Sequence, residues 1–198
     1  DMLYSKLKKT KIQINIAGIV IGSAEDTFTF LNECFIKPPD AEKSMDPVCA
    51  FKQFKLFFES NERTIPTGSY DFIVYLTSDD MIRVKKDEKG REESYRVEDN
   101  TCAWIGLGEN HGYLYENYVK EGESAKPIIA TIQDEGQLKS FGIVAHEIGH
   151  LMSLYHDQSS PLTADGECCG YIMKPTSIHC MQCLSWSPTS EETLRLFF

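Results

Sequence analysis

The order of apolar and polar residues predicts several strands and helices along the chain. The first strand is predicted over residues 12–21, where isoleucines alternate with polar residues before a fully apolar run. Further strands are predicted over the apolar runs at residues 72–76, 102–107 and 128–132. The highly charged segment at residues 83–100, which contains a glycine, is predicted to be an exposed hairpin or loop.

Three segments have helical features. Asp46 is predicted as the N-cap and Pro47 as the first residue of a helix whose phenylalanine-rich apolar face continues to Glu59. A longer apolar helix is predicted over about residues 138–154, and a short terminal helix over residues 188–198. Strands followed by covering helices predict a mixed α/β (α+β) layer architecture.

Composition and charge narrow the class of protein. The chain has 198 residues, of which 41% are hydrophobic and 25% charged, and this predicts one soluble globular domain. The longest apolar run, residues 16–21, is too short to cross a bilayer, so no membrane insertion is expected. The net charge of −10 repels phosphate backbones, so no nucleic-acid partner is expected.

Cysteine content points to an extracellular protein. Four of the seven cysteines lie between Cys168 and Cys183, and this density favours disulfides, an oxidising compartment and secretion. A cysteine-bound zinc site is the alternative, because Cys180 and Cys183 have suitable spacing. The adjacent pair Cys168 and Cys169 lacks that spacing and argues against it. The odd count leaves one thiol free or bonded outside this chain.

The strongest chemical signal is the run His146-Glu147-Ile148-Gly149-His150. Two histidines four residues apart in a helix project from the same face, one turn apart. Their imidazoles can therefore share one tetrahedral zinc ion. Glu147 follows the first histidine and can reach a bound water without being a ligand, which is the pattern of zinc proteases.

A third histidine extends this pattern. His156 lies six residues after His150 and is followed by Asp157, and the run 146–157 resembles the metzincin zinc-binding signature. The resemblance implies that the helix ends near Ser153, so that His156 can turn back as the third ligand. It also implies that Met173 lies beneath the metal; the alternative for Met173 is ordinary core packing.

Asp157 distinguishes groups within the metzincins. An aspartate after the third histidine resembles the reprolysin-type group of snake-venom metalloproteinases, ADAM proteases and their arthropod venom and salivary relatives. Residues 11–22 resemble the second strand of that fold, and residues 101–108 resemble its edge strand. The compact cysteine-rich tail favours a scorpion- or tick-like venom or salivary enzyme.

The resemblance implies one catalytic domain over residues 1–198. A twisted mixed sheet with helices forms its upper lobe, about residues 1–152, and an irregular disulfide-bonded lower lobe spans about residues 153–198. The implied activity is that of a secreted, monomeric zinc metalloendopeptidase acting on protein or peptide substrates. Glu147 is then the general base, and Asp157 anchors the turn at the metal.

Substrate-binding residues are implied in two places. The edge strand would hold an extended peptide, and the residues after the methionine would form a wall of the S1′ pocket. These residues are Ala103, Trp104, Ile105 and Gly106 in the strand, and Lys174, Pro175 and Thr176 in the wall. Trp104 is equally compatible with a place in the core.

This sequence departs from the family pattern at several points. Ser153 stands where the family has glycine, which costs about 1 kcal/mol if the turn needs a positive φ. The family has a strand and a long helix before Lys11, and residues 1–7 could be only the end of that helix. A calcium site is possible but is not supported by the sequence.

The cysteines match no family disulfide set cleanly. The best single pair is Cys34 with Cys49, across a loop, and Cys102 is expected to join one of the C-terminal four. A zinc-containing toxin or binding module with little catalysis remains the alternative to an enzyme. The intact Glu147 favours the enzyme, because a non-catalytic descendant is free to lose it.

Overall fold

The computed structural model describes residues 7, 11–22, 28–37, 43–86, 92–96, 106–108, 129–134, 141–157, 171–174 and 185–197. Its elements are two 3₁₀ helices, seven strands and three α-helices, in the mixed class that the sequence predicts. They are a 3₁₀ helix at Thr29–Cys34, β1 (Phe35–Ile36), β2 (Ser44–Met45), α1 (Pro47–Ser60), a 3₁₀ helix at Thr67–Ser69, β3 (Ile73–Thr77), β4 (Ile82–Lys86), β5 (Glu92–Arg96), β6 (Gly106–Gly108), β7 (Ile129–Gln133), α2 (Phe141–Leu151) and α3 (Pro188–Phe197).

A three-stranded mixed sheet with the order β3-β7-β6 lies at the centre. Strand β7 runs parallel to β3, with Ile73 opposite Ile129, and antiparallel to β6, with Gly106 opposite Ile132. Every residue of β7 is buried, as expected for a central strand covered on both faces. Two of the predicted strands therefore form, each displaced by one residue, and the last residues of a third are described as β6.

The two faces of β7 contact different helices, because successive side chains of a strand point to opposite sides. Ile129 belongs to a cluster with Phe54 of α1. Ala130 and Ile132, the next residues on the other face, pack with Leu151 of α2. The sheet therefore fixes the position of α2, which carries the two histidines of the zinc-protease pattern.

Helix α1 begins as its sequence predicts. The Cys49 backbone N–H donates a hydrogen bond to Asp46 Oδ1 at 3.4 Å, and Pro47 occupies the first helical position. Ala50, Phe54 and Phe58 are buried at intervals of four residues, which is the spacing of one helical face. The helix runs through Ser60, one residue beyond the predicted end.

The predicted pairing of Cys34 with Cys49 is confirmed. The bridge joins the end of the first 3₁₀ helix to the first turn of α1, with a Cα–Cα distance of 5.3 Å. Cys102 and the four C-terminal cysteines lie outside the described residues, so their pairing stays a prediction.

The predicted strand at residues 12–21 is wrong. Ile12 and Ile14 are partly buried against the core, but the following apolar run, with Ile16 and Ile21 each 77% exposed, is open to solvent. Residues 11–22 have no regular secondary structure. A segment of residues that favour β-structure forms a strand only beside a partner that completes its hydrogen bonds. None of the described strands pairs with this segment.

The charged segment predicted as a hairpin or loop does contain a hairpin. Strands β4 and β5 pair antiparallel, from Ile82 opposite Arg96 to Lys86 opposite Glu92. In the part of the chain that the structure describes, no helix has the length and apolar character needed to cross a membrane.

We expect loss of the Cys34–Cys49 bridge to lower the free energy of unfolding by about 3 kcal/mol. A bridge that closes a loop of 15 residues restricts the unfolded chain, and that restriction disappears with the bond. Urea unfolding of Cys34→Ala, Cys49→Ala and the double variant measures the effect. The three variants should lose similar amounts, because each breaks the same bond; a double variant as stable as wild type would contradict the pairing.

Candidate metal centre

Helix α2 carries two histidines and a glutamate among its buried residues. Its run from Ala145 to Leu151 is buried, and it includes His146, Glu147 and His150. A fully buried glutamate is rare unless it is partnered, and Glu147 is only 2% exposed. Glu147 directly follows His146 on the helix that carries both histidines.

The end of α2 turns the chain back toward these histidines. The Leu154 N–H donates to the Gly149 carbonyl and the Ser153 N–H to the His150 carbonyl, each at 2.9 Å. These two bonds and a φ of 65° at Ser153 define a Schellman cap. Helix α2 therefore ends three residues before the predicted boundary at residue 154, and the positive φ considered for Ser153 is present.

The turn after the cap brings the His156 imidazole to those of His146 and His150 in the helix. The Nε2 atoms are 3.1 Å apart between His146 and His150, 3.0 Å between His150 and His156, and 3.2 Å between His146 and His156. Two Zn–N bonds of about 2.0–2.1 Å at a tetrahedral angle separate their nitrogens by about 3.3–3.4 Å. The cluster therefore has the size of a single zinc site, and the donor set fits that metal.

Backbone carbonyls orient two of the rings. His146 Nδ1 lies 2.6 Å from the Ile172 carbonyl oxygen, and His150 Nδ1 lies 2.8 Å from the Leu154 carbonyl oxygen. Since a carbonyl can only accept, each Nδ1 carries the proton and donates it. Each Nε2 is then an unprotonated lone pair directed at the shared centre, which is the form that binds a metal.

Burial lowers the pKa of two of the three histidines. Burial, together with the neighbouring His150 and His156, lowers the pKa of His146 from 6.5 to about 3, against an opposing effect of the hydrogen bond to Ile172. Burial also lowers the pKa of His156, although the charge of Asp157 opposes the shift. The cluster is therefore ready to bind a cation at neutral pH without first releasing protons.

Met173 packs under α2 at the glycine of the zinc-protease pattern. Met173 is fully buried, and a Cβ added to Gly149 would lie only 2.6 Å from its Sδ. The preceding residue, Ile172, supplies the carbonyl that orients His146. The segment 171–174 is thus a turn that supports both the helix and one imidazole, and Gly149 is required by this close approach rather than by its φ.

Asp157 joins the third histidine to two other segments. Its backbone N–H donates to the Met173 carbonyl at 2.7 Å, and its Oδ1 accepts the hydroxyl of Ser187 at 2.5 Å. Burial raises the pKa of Asp157, while the hydroxyls of Ser187 and Ser190 and the charge of His156 oppose that rise.

The structure describes only two of the substrate-binding residues that the sequence predicts. Gly106 begins the edge strand β6, and Lys174 is partly buried at the end of the turn that holds Met173. The other proposed substrate-binding residues lie outside the described residues; these are Ala103, Trp104, Ile105, Pro175 and Thr176.

Sequence reasoning missed the groups that orient the histidines. The carbonyls of Leu154 and Ile172 leave no residue-type signal, because any residue supplies a carbonyl. Ser187 was detectable, since a serine before the proline that starts a helix is a strong N-cap signal. Nothing in the sequence indicated that its hydroxyl would also contact Asp157.

Comparison with known proteins points to metalloproteinases. Over its whole length the chain is 28% identical to "A disintegrin and metalloproteinase with thrombospondin motifs like" of Bombyx mori, in an alignment of 206 residues. It is 41% identical over 63 residues, 31% of this chain, to "A disintegrin and metalloproteinase with thrombospondin motifs 8" of Homo sapiens. These relatives are ADAMTS-like metalloproteinases. Their similarity supports a reprolysin-type family.

The similarity concerns a small part of each relative. The chain spans 27% of the length of the Bombyx mori protein, and the alignment with the human protein covers 7% of that protein. No family model matches the sequence.

We expect Gly149→Ala to lower the free energy of unfolding by about 1–3 kcal/mol, because the new Cβ would overlap Met173 Sδ. Urea unfolding measures the loss. In a Met173→Ala background the obstruction is absent, so the same glycine replacement should cost clearly less. Equal costs in the two backgrounds would contradict the described packing.

The metal-free protein should lose stability as pH falls from about 6.5 toward 3. The pKa of His146 is about 3 in the folded state and 6.5 in the reference state, so the unfolded chain binds more protons within this window. The stability is fully present above the window. Between pH 6.5 and 5 the loss is about 2 kcal/mol. Urea unfolding at the two pH values tests this, and His146→Gln should show a smaller loss; identical losses would contradict the depressed pKa.

Proposed function

We propose that this protein is a secreted zinc-dependent metalloendopeptidase that hydrolyses peptide bonds of protein substrates. The observation that carries the proposal is the convergence of three Nε2 atoms within 3.2 Å of one another, two of them on the helix that also carries the buried Glu147. The similarity to metalloproteinases supports it. The histidines and Glu147 also form the sequence pattern of zinc proteases.

His146, His150 and His156 would hold the zinc ion. The chemistry that zinc supplies when bound is that of a Lewis acid, which lowers the pKa of a water molecule toward about 7 and polarises a carbonyl. Glu147 accepts a proton from the attacking water at its carboxylate and later donates it to the nitrogen of the leaving amine. The carbonyls of Ile172 and Leu154 keep the histidine rings in position.

Strand β6 is the proposed place for substrate. It lies at the edge of the described sheet and pairs on one side with β7, so an extended peptide can add to its other side as an antiparallel strand. Gly106, together with Ala103, Trp104 and Ile105, would contact that peptide. Lys174, Pro175 and Thr176 would form the wall of the S1′ pocket and influence which side chain is accepted.

The cellular setting belongs to the same proposal. The Cys34–Cys49 bridge supports an oxidising, extracellular environment. The proposed protein is a monomeric single domain, with the lobes divided near residue 152. A role as a venom or salivary component of an arthropod is the finer form of the proposal, and the compact cysteine-rich tail favours it.

We expect Glu147→Gln to reduce hydrolysis of casein by at least about 100-fold, because glutamine has a similar shape but cannot accept the proton. Zinc content, measured by atomic absorption on the same preparation, should stay near one ion per chain. The matched control is Glu192→Gln on the exposed face of α3, which should cleave casein at the wild-type rate.

Chelation provides the second arm of this test. Wild-type hydrolysis should stop when a chelator removes zinc and should return when zinc is restored. Full activity in Glu147→Gln would refute the assigned base. A wild-type protein that binds zinc but cleaves no protein would instead favour a zinc-containing toxin or binding module.

A further inference from the structure

Helix α3 begins against the aspartate that follows the third histidine. Ser187 precedes Pro188, the first residue of this helix, and its Oγ accepts the Ser190 backbone N–H at 3.0 Å. This bond makes Ser187 the N-cap of α3. The same hydroxyl donates to Asp157 Oδ1 at 2.5 Å, so one side chain both caps the helix and contacts the segment that carries His156.

This contact is partly buried, with the serine on its buried side. Ser187 and Ser190 are each 3% exposed, and the Oδ2 atom of Asp157 is buried and has no hydrogen-bond partner among the described residues. A buried carboxylate that loses its hydrogen-bond donor is destabilised, because no group replaces the water that it lost on folding. We therefore expect it to move toward water or another donor. Removal of the Ser187 hydroxyl would therefore displace Asp157.

Displacement of Asp157 would act directly on the adjacent histidine. Asp157 is tied to the Met173 carbonyl through its backbone N–H and to Ser187 through its side chain. His146 and His150 are instead oriented by carbonyls at their own Nδ1 atoms. His156 lies beyond the helix cap, and the neighbouring Asp157 is bonded both to the Met173 turn and to Ser187.

Helix α3 is itself anchored in the core beside the turn. Leu194 is fully buried, and it shares a hydrophobic cluster with Ile172 and Met173. The backbone N–H of Ile172 also donates to the carbonyl of Ser185, just before the helix, at 2.9 Å. The start of α3 is thus fixed relative to the Met173 turn. Because Ser187 lies at that start, its hydrogen bond holds the Asp157 side chain in a defined position.

We propose that Ser187 is a positioning residue for His156, acting through Asp157, and that docking of α3 and binding of zinc therefore stabilise each other. The proposal rests on the zinc site described under the proposed function. Coupling between two events is reciprocal, so a helix that favours the metal must in turn be favoured by the metal.

The first test measures zinc affinity in two Ser187 variants by competition with a chromophoric chelator. Ser187→Gly removes the hydroxyl but keeps a residue that is nearly as good an N-cap, so it separates the contact with Asp157 from the cap. We expect its zinc dissociation constant to rise about 10-fold, as for other groups that orient metal ligands. Ser187→Thr keeps the hydroxyl and should restore the wild-type value.

A matched control lies on the same helix. Thr193 donates its hydroxyl to the Thr189 carbonyl on the exposed side of α3, away from Asp157. Thr193→Ala should leave the zinc dissociation constant unchanged. A Ser187→Gly protein that binds zinc as tightly as wild type would overturn the proposal and leave Ser187 as a helix cap only.

The second test uses the wild-type protein, so it does not depend on a variant that folds. Hydrogen exchange of the α3 backbone amides is compared with and without zinc, and we expect slower exchange when zinc is bound. Unchanged exchange of α3, in a protein shown to bind zinc, would overturn the coupling. A wild-type chain that binds no zinc would overturn the proposed function instead, so the two failures are distinguishable.

Discussion

Two hydrogen bonds from imidazole to backbone carbonyl determine what this site can bind. The bonds from His146 to Ile172 and from His150 to Leu154 place a proton on each Nδ1. Each Nε2 is left as a lone pair directed at the same point. The Nε2 of His156 lies within 3.2 Å of both, so three imidazoles converge in an arrangement suited to one cation.

The structure around these bonds serves to hold two carbonyls in place. The Schellman cap at the end of α2 directs the Leu154 carbonyl toward His150, and in this cap the backbone of Ser153 has the left-handed conformation. The turn that contains Met173 presents the Ile172 carbonyl, and Gly149 leaves the space for it. The buried strand β7 fixes α2 on the other side. The chemistry of the site therefore depends on backbone positions as much as on the histidines.

The sequence was most informative where the spacing or order of a few residues indicates one local structure. Histidine spacing predicted the cluster of three imidazoles, a proline after an aspartate located the start of α1, and Cys34 was correctly paired with Cys49. It was misleading where the outcome depends on a distant partner. Residues 11–22 have the composition of a strand, but the hydrogen bonds of a strand come from its neighbour. The carbonyls that orient the rings have no signature in the sequence at all.

X-ray absorption at the zinc edge reports the type, number and distance of the atoms that bind the metal in the native protein, so it tests directly whether the three imidazoles are the ligands. We expect three imidazole nitrogens at about 2.0–2.1 Å, together with an oxygen and no sulfur. His156→Ala should remove one nitrogen. A sulfur ligand from a cysteine, or fewer than three imidazoles in the wild-type protein, would contradict it.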